Sequence, residues 1–274
     1  MSARQRIIAA TIAGTAAFVL SATPVLAAKC GNTSRGFDSW KASFIEDMRA
    51  KGFTNRSLQA LDGVTYSNKV IKLDRGQKSF KQSFDRFYKR RSEGVVRIAK
   101  KKMKVHARTA NRVEQKFGVP KELLLTIWGL ETGFGRFNGN KPIFQSLATL
   151  AYDCRRTEFF TAELVAALTI VERKQIPLSQ MKGAWAGEIG QTQFLPTRYV
   201  SAGISFDGDR KVDLYRSVPD VLASTANWFA QNGWRRGQPY GEGTANYRII
   251  QKWNRATVYQ RTIAKLSQEM GAAL

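Results

Sequence analysis

The segment Gly118-Val119-Pro120-Lys121-Glu122-Leu123-Leu124-Leu125-Thr126-Ile127-Trp128-Gly129-Leu130-Glu131-Thr132-Gly133 decides how the rest of the chain is read. Pro120 suits the first position of a helix, where its missing N–H costs nothing, and Gly133 suits the stop. Counting back from Glu131 along that helix, Trp128 lies three residues earlier, Ile127 four and Leu124 seven, so the carboxylate shares the apolar stripe. Two effects raise the pKa of a carboxyl group there: desolvation by apolar neighbours and the negative end of the helix dipole. That is the setting of a general acid. Spacing alone leaves a second arrangement open, in which Glu131 turns to the rim and pairs with a cation such as Arg136.

Helical periodicity continues on both sides. Phe37, Trp40, Phe44, Ile45 and Met48 recur at helix spacing, as do Phe80, Phe84, Phe87 and Tyr88, and then Phe160, Leu164, Ala167, Leu168 and Val171. No run of alternating strands is visible. Glycines and aspartates between Gly203 and Asp213, and four glycines with Pro239 between Gly233 and Gly243, mark two loops. With 274 residues and 43% apolar content the chain can bury one large core or two small lobes, which excludes fibrous and wholly disordered classes. One histidine and two cysteines leave little for a multi-His or Cys-rich zinc site, or for a Ser-His-Asp triad, so carboxylates are the expected catalytic groups.

Lys and Arg total 44 against 21 Asp and Glu, a net charge of +23, and the partner is therefore expected to be anionic. The cations concentrate between Lys69 and Arg112, including Lys89-Arg90-Arg91 and Lys100-Lys101-Lys102. They read either as a solvated helix face or as a face that docks on an anionic polymer. Arg4 and Arg6 precede an apolar stretch from Ile7 to Leu20 and a small-residue end at Ala27-Ala28, the pattern of a cleavable signal peptide over residues 1–27. The apolar stretch is shorter than the roughly 20 residues a spanning helix needs, so no stable membrane span is expected. Export to the periplasm then demotes nucleic acid as a partner. It also favours a disulfide between Cys30 and Cys154, because a lone cysteine pair in an oxidising compartment tends to bridge.

Longer motifs carry a resemblance. Trp128 to Gly135, then Ala148-Thr149-Leu150-Ala151-Tyr152-Asp153-Cys154-Arg155-Arg156, then Gly183-Ala184-Trp185-Ala186-Gly187-Glu188-Ile189-Gly190-Gln191-Thr192-Gln193-Phe194-Leu195-Pro196, and Asp220 to Phe229 running into Gly233-Trp234, resemble the membrane-bound lytic transglycosylase B family of murein-cleaving enzymes. The similarity runs from about Phe37 to the C-terminus, with the motifs in the family's order. It implies a mainly α (α+β) fold related to lysozyme, bilobal, with the substrate cleft between helical lobes, and a catalytic domain over residues 28–274. It also implies a peptidoglycan lytic transglycosylase, a carbon-oxygen lyase that needs no cofactor. Such an enzyme cleaves the β-1,4 bond between N-acetylmuramic acid and N-acetylglucosamine without water and leaves a 1,6-anhydromuramic end. Glu131 is the single catalytic glutamate on this resemblance, acid first and base second.

The resemblance further implies that Gln193 and Phe194 contact sugar acetamido groups, that Trp228 is a platform for a pyranose ring, and that Asn254 and Tyr259 face the glutamate. Core packing is the competing reading for Phe194 and Trp228, and backbone capping for Gln193 and Asn254. Ala184 departs from relatives that carry serine there. The loop Ser205-Phe206-Asp207-Gly208-Asp209-Arg210-Lys211-Val212-Asp213 stands where some relatives hold a cation in an EF-hand-like site. Asp207 and Asp209 fit two ligand positions, but Ser205, Arg210 and Arg216 do not fit theirs, so no metal is expected. Two alternatives share these features. A hydrolytic muramidase needs a second carboxylate, with Glu188, Asp153 and Asp207 available, and a non-catalytic murein-binding protein needs no Glu131. In each case the partners are peptidoglycan glycan strands and an anionic envelope polymer surface.

Overall fold

The computed structural model describes residues 30–76 and 82–273, so the expected leader at residues 1–27 and Phe80 lie outside the described residues. Twelve α-helices account for most of it: α1 (Phe37–Ala50), α2 (Asn55–Leu58), α3 (Asn68–Arg75), α4 (Phe84–Ser92), α5 (Val95–Phe117), α6 (Lys121–Thr132), α7 (Ile143–Tyr152), α8 (Thr157–Glu172), α9 (Pro196–Ala202), α10 (Val218–Gln231), α11 (Ala245–Trp253) and α12 (Thr257–Ala273). The described sheet is minimal: β1 (Lys141–Pro142) pairs antiparallel with β2 (Lys182–Gly183), Lys141 opposite Gly183. The fold is mainly α, as expected, and both glycine-rich stretches are loops. No described helix is long and apolar enough to cross a membrane.

α6 is the centre around which α5, α10 and α12 pack. Every residue from Leu123 to Leu130 is buried, so the helix has no solvent face at all. The expectation of an amphipathic stripe is therefore too weak, and Glu131 sits at the end of an enclosed apolar rod. Pro120 is the flanking cap residue with extended ψ, one position before the helix rather than its first residue. Gly133 ends it at φ 59°, a left-handed turn that favours glycine.

α7 and α8 form a tight hairpin that carries the second half of the core, with Phe160, Leu164, Ala167, Leu168 and Val171 all buried as their spacing requires. Polar ties knit the segment between these two helices to the amino-terminal helices. Asp153, 1% exposed, accepts from Arg75 at 2.5 Å, and buried Asp74 accepts from both Arg155 and Arg156. Cys30 is bonded to Cys154, with Cα atoms 5.0 Å apart, and next to the bridge the Gly31 amide donates to the Tyr152 carbonyl at 2.9 Å.

The bridge closes a loop of 124 residues, for which chain entropy gives an upper figure of about 4–5 kcal/mol. The Cys30→Ser, Cys154→Ser double variant is expected to keep its helix content but melt several degrees lower. Unreduced protein is expected to show no titratable thiol after denaturation. Two labelled thiols, or an unchanged melt, contradict the expectation.

Candidate active site

α6 delivers Glu131 into a cleft of about 1750 Å³, whose walls include Gln193, Arg198, Trp253 and Asn254 near the sequence motifs, and the Cys30–Cys154 bridge. That volume exceeds the roughly 300–1,000 Å³ of a small-molecule pocket and suits a stretch of polymer. Glu131 is half-buried. The indole N–H of Trp253, the last residue of α11, donates to its Oε1 at 3.1 Å. Burial pushes the Glu131 pKa above the ordinary carboxylate range. The Trp253 and Tyr259 side chains oppose that rise, as do the charges of Arg91 and Arg198. None of the ion pairs among the described residues involves Glu131, and Arg136 instead lies over the Phe137 ring, 5.6 Å from its centroid. The rim arrangement left open by spacing is not the one adopted.

The end of α6 is locked to the Gly183–Pro196 segment by buried hydrogen bonds. Trp128 Nε1 donates to Gln191 Oε1 at 2.8 Å, and Thr132 Oγ1 donates to the Gln191 carbonyl at 2.6 Å. Gly135, at φ 82°, lets the chain pass the Gln191 amide, which a Cβ there would overlap at 2.3 Å. Ile189 and Phe194 pair across a tight turn in which Gln193 adopts a left-handed φ of 52°. Its Nε2 donates to the Gly190 carbonyl at 3.0 Å while the residue lines the cleft. A non-glycine residue held in that region is a mark of functional sites.

Among the other expected site residues, Asn254 lines the cleft, and its Oδ1 caps the following turn by accepting from the Ala256 amide at 2.9 Å. The buried Tyr259 hydroxyl lies against Glu131 and Arg91 without a well-formed hydrogen bond, and burial raises its pKa well above the usual phenol value. For Phe194 and Trp228 the geometry follows the core-packing reading left open above. Phe194 is 0% exposed and meets Trp253 edge-on, and Trp228 is 8% exposed beneath the Arg198 guanidinium. Neither side chain reaches the cleft wall. Both rings pack edge-on against Trp253, at 5.8 and 5.1 Å between centroids.

Three groups escaped sequence reading. Trp253 directly precedes Asn254 and carries no signal of its own. Arg91 belongs to a basic run but turns inward and donates to the Leu130 carbonyl. Arg198 lies over Trp228 and Trp253. Contacts between residues so far apart in sequence leave no local signal. Of the carboxylates considered as a second catalytic group, Asp153 is tied to Arg75 and to the Arg155 amide. Asp207 accepts from Ser217, which lowers its pKa. Glu188 lines the cleft, but its Oε2 accepts from the Ala186 amide at 3.1 Å. Asp207, Asp209 and Asp220 are the one described carboxylate group whose oxygens converge, within 4.8 Å. Asp220 is already committed to the amides of Phe206 and Asp213.

A model of the Transglycosylase SLT domain family matches residues 36–245. Over 128 residues the chain is 38% identical to the membrane-bound lytic murein transglycosylase B of Escherichia coli (strain K12). That stretch covers 46% of this chain and only 35% of that protein. Two solved structures are similar in fold. SltB3 from Pseudomonas aeruginosa, in complex with NAG-NAM-pentapeptide, superposes with a TM-score of 0.79 at 29% identity, covering 86% of this chain and 79% of that one. Escherichia coli Slt35, in complex with bulgecin A, gives 0.76 at 25% identity, with coverage of 85% and 93%.

The raised pKa of Glu131 has a signature in stability. The folded protein keeps this proton at pH values where the unfolded chain has lost it, so the wild type loses stability as pH climbs from the ordinary glutamate value to the raised one. Glu131→Gln cannot titrate. The melting temperature of the variant minus that of the wild type is expected to be flat below the ordinary value, to grow through that window, and to level off above it. A difference independent of pH would mean that Glu131 ionises as in the unfolded chain.

Proposed function

The chain belongs to the Transglycosylase SLT domain family, and on that premise we propose that it is an exported lytic murein transglycosylase whose cleft binds peptidoglycan glycan strands. Glu131 protonates the glycosidic oxygen between N-acetylmuramic acid and N-acetylglucosamine. As the bond from C1 breaks, the substrate's 2-acetamido group shields the developing cation. The carboxylate then takes the proton of the C6 hydroxyl, whose oxygen closes on C1 to give the 1,6-anhydro ring. No water is consumed, and the glutamate returns protonated. One group can serve both steps only if its proton affinity lies between the two tasks. The observation that carries this reading is the environment of Glu131, where burial raises the pKa and an indole donor with two nearby cations restrains it. Hydrolysis is the weaker alternative, because Glu188 and Asp153 are occupied by structural hydrogen bonds.

Residues 28–274 form the catalytic domain on this reading, with residues 1–27 as its leader, and the cysteine bridge agrees with a periplasmic location. The charged surface has a partner of its own. Arg97, Lys100, Lys101 and Lys104 before the kink of α5 at His106, and Arg108 and Arg112 after it, are exposed, and none is ion-paired among the described residues. They form a track for an anionic envelope polymer that keeps the enzyme on its insoluble substrate.

Two experiments test the scheme. Wild-type digestion of sacculi is expected to release muropeptides lighter by one water than hydrolytic products. Glu131→Gln is expected to lower that rate by roughly 10²- to 10⁴-fold without loss of fold. Reducing muramic ends would move the reaction to hydrolysis, and a near wild-type rate would remove Glu131 from the chemistry. Sacculus binding is expected to weaken with salt, since attraction between exposed charges is screened over about 8–10 Å near physiological ionic strength. Reversing Lys100, Lys101 and Lys104 to Glu is expected to abolish most of that salt dependence, and binding that ignores salt would assign the charge another purpose.

A further inference from the structure

Arg198 takes no part in the acid–base scheme, yet three parts of the site converge on it. One residue earlier, the Thr197 amide and hydroxyl donate to the two oxygens of buried Glu163 at 2.9 and 2.7 Å, pinning the first turn of α9 to α8. From that fixed start the Arg198 side chain crosses to α10 and α11. Its Cζ lies 4.7 Å from the centroid of Trp228 and 4.8 Å from that of Trp253, whose rings meet edge to face at 78°. Its Nη2 donates to the Trp253 carbonyl at 3.0 Å. A planar guanidinium can stack on two rings and bond a carbonyl with fixed geometry, which a compact ammonium does less rigidly. Arg198 also lines the cleft, half-buried, with no carboxylate in ion-pair range among the described residues.

We infer that Arg198 is a positioning residue for the reaction. It clamps Trp253 by ring face and main chain so that the indole N–H stays on Oε1 of Glu131, and it places a cation near that carboxyl group. The inference rests on Glu131 as the acid and base. With Oε1 accepting from Trp253, the transferable proton belongs on Oε2. Once that proton is delivered, the same N–H and the nearby charge stabilise the carboxylate that must act as base.

Four groups face Glu131: Arg91 from α4, Arg198 from α9, Trp253 from α11 and Tyr259 from α12. Arg91 is held by the Leu130 carbonyl, independently of α9. Removing the charge of Arg198 therefore changes one of the two cations without disturbing the other. Both cations act against the rise that burial imposes on Glu131.

The test compares Arg198→Gln and Arg198→Lys in the mature protein. The Glu131 carboxyl is followed by carbon NMR, assigned by its loss in Glu131→Gln, beside the pH dependence of anhydro-muropeptide release. Arg198→Gln is expected to raise the Glu131 titration by about half a unit or more, and to move the basic limb of the rate profile upward with it. It is also expected to lower kcat about tenfold with little change in KM, because the acid is displaced rather than the substrate site. Arg198→Lys keeps the charge and is expected to restore most of the titration but not kcat. An unchanged Glu131 titration in folded Arg198→Gln overturns the inference, as does an equal shift in the two variants, which would trace to packing. Should Arg198→Gln not fold, the lysine variant decides alone. Its Trp253 indole N–H resonance must move if the clamp is real, and an unmoved resonance overturns it. A wild-type enzyme that yields no anhydro products defeats the functional reading instead, while the titration still reads Arg198.

Discussion

The partial removal of Glu131 from water is the constraint on which the rest of the site depends. A carboxyl group at the end of an enclosed apolar helix costs free energy in its charged form, and the cost grows with each neighbour that excludes solvent. α6 cannot avoid it, because Leu123 to Leu130 are buried on all sides and the next side chain follows them inward. The neighbours therefore divide into two sets. The apolar walls and the C-terminal carbonyls of α6 favour the proton, whereas Trp253, Tyr259, Arg91 and Arg198 favour its loss. An acid that must shortly become a base needs both sets, since either alone would fix one protonation state.

The helical class of the fold could be read directly. Apolar residues at helix spacing in α1 and α8 are buried as their periodicity requires, and the punctuation by Gly133 acts where it was expected. Spacing placed Glu131 on the apolar stripe without excluding the rim, and the motif resemblance singled it out. Phe194 and Trp228 were less legible. Aromatic residues serve both as cores and as sugar platforms, so a sequence leaves both readings open until burial separates them. Arg91 and Arg198 looked like two more members of a large cationic surplus. What distinguishes them is a contact with a residue distant in the chain, Leu130 for one and Trp253 for the other.

Charge is thus used in two ways in this molecule. Along α5 most cations are exposed and not ion-paired among the described residues, so their effect is long-ranged, weak per residue and sensitive to salt. Inside the cleft, single guanidinium groups are half-buried against rings and carbonyls, where the local dielectric is lower and one charge can alter a pKa. The composition reports only the sum of these populations. A basic total says nothing about the few cations that matter chemically.

The buried carboxylates show the same division of labour. Glu163 and Glu188 both border the cleft, and burial raises the pKa of each, so a perturbed value alone does not separate them from Glu131. Their hydrogen bonds do. Glu163 spends both oxygens on Thr197, and Glu188 accepts the Ala186 amide, which ties each to the shape of a turn. A proton on either Glu163 oxygen competes with a donor already there, whereas a carboxyl group with a free oxygen keeps its acceptor bond when that other oxygen is protonated. Glu131 accepts only from a side chain, the Trp253 indole, among the described hydrogen bonds. With Oε1 held by the indole it can exchange a proton at Oε2, and no main-chain amide among the described hydrogen bonds depends on it.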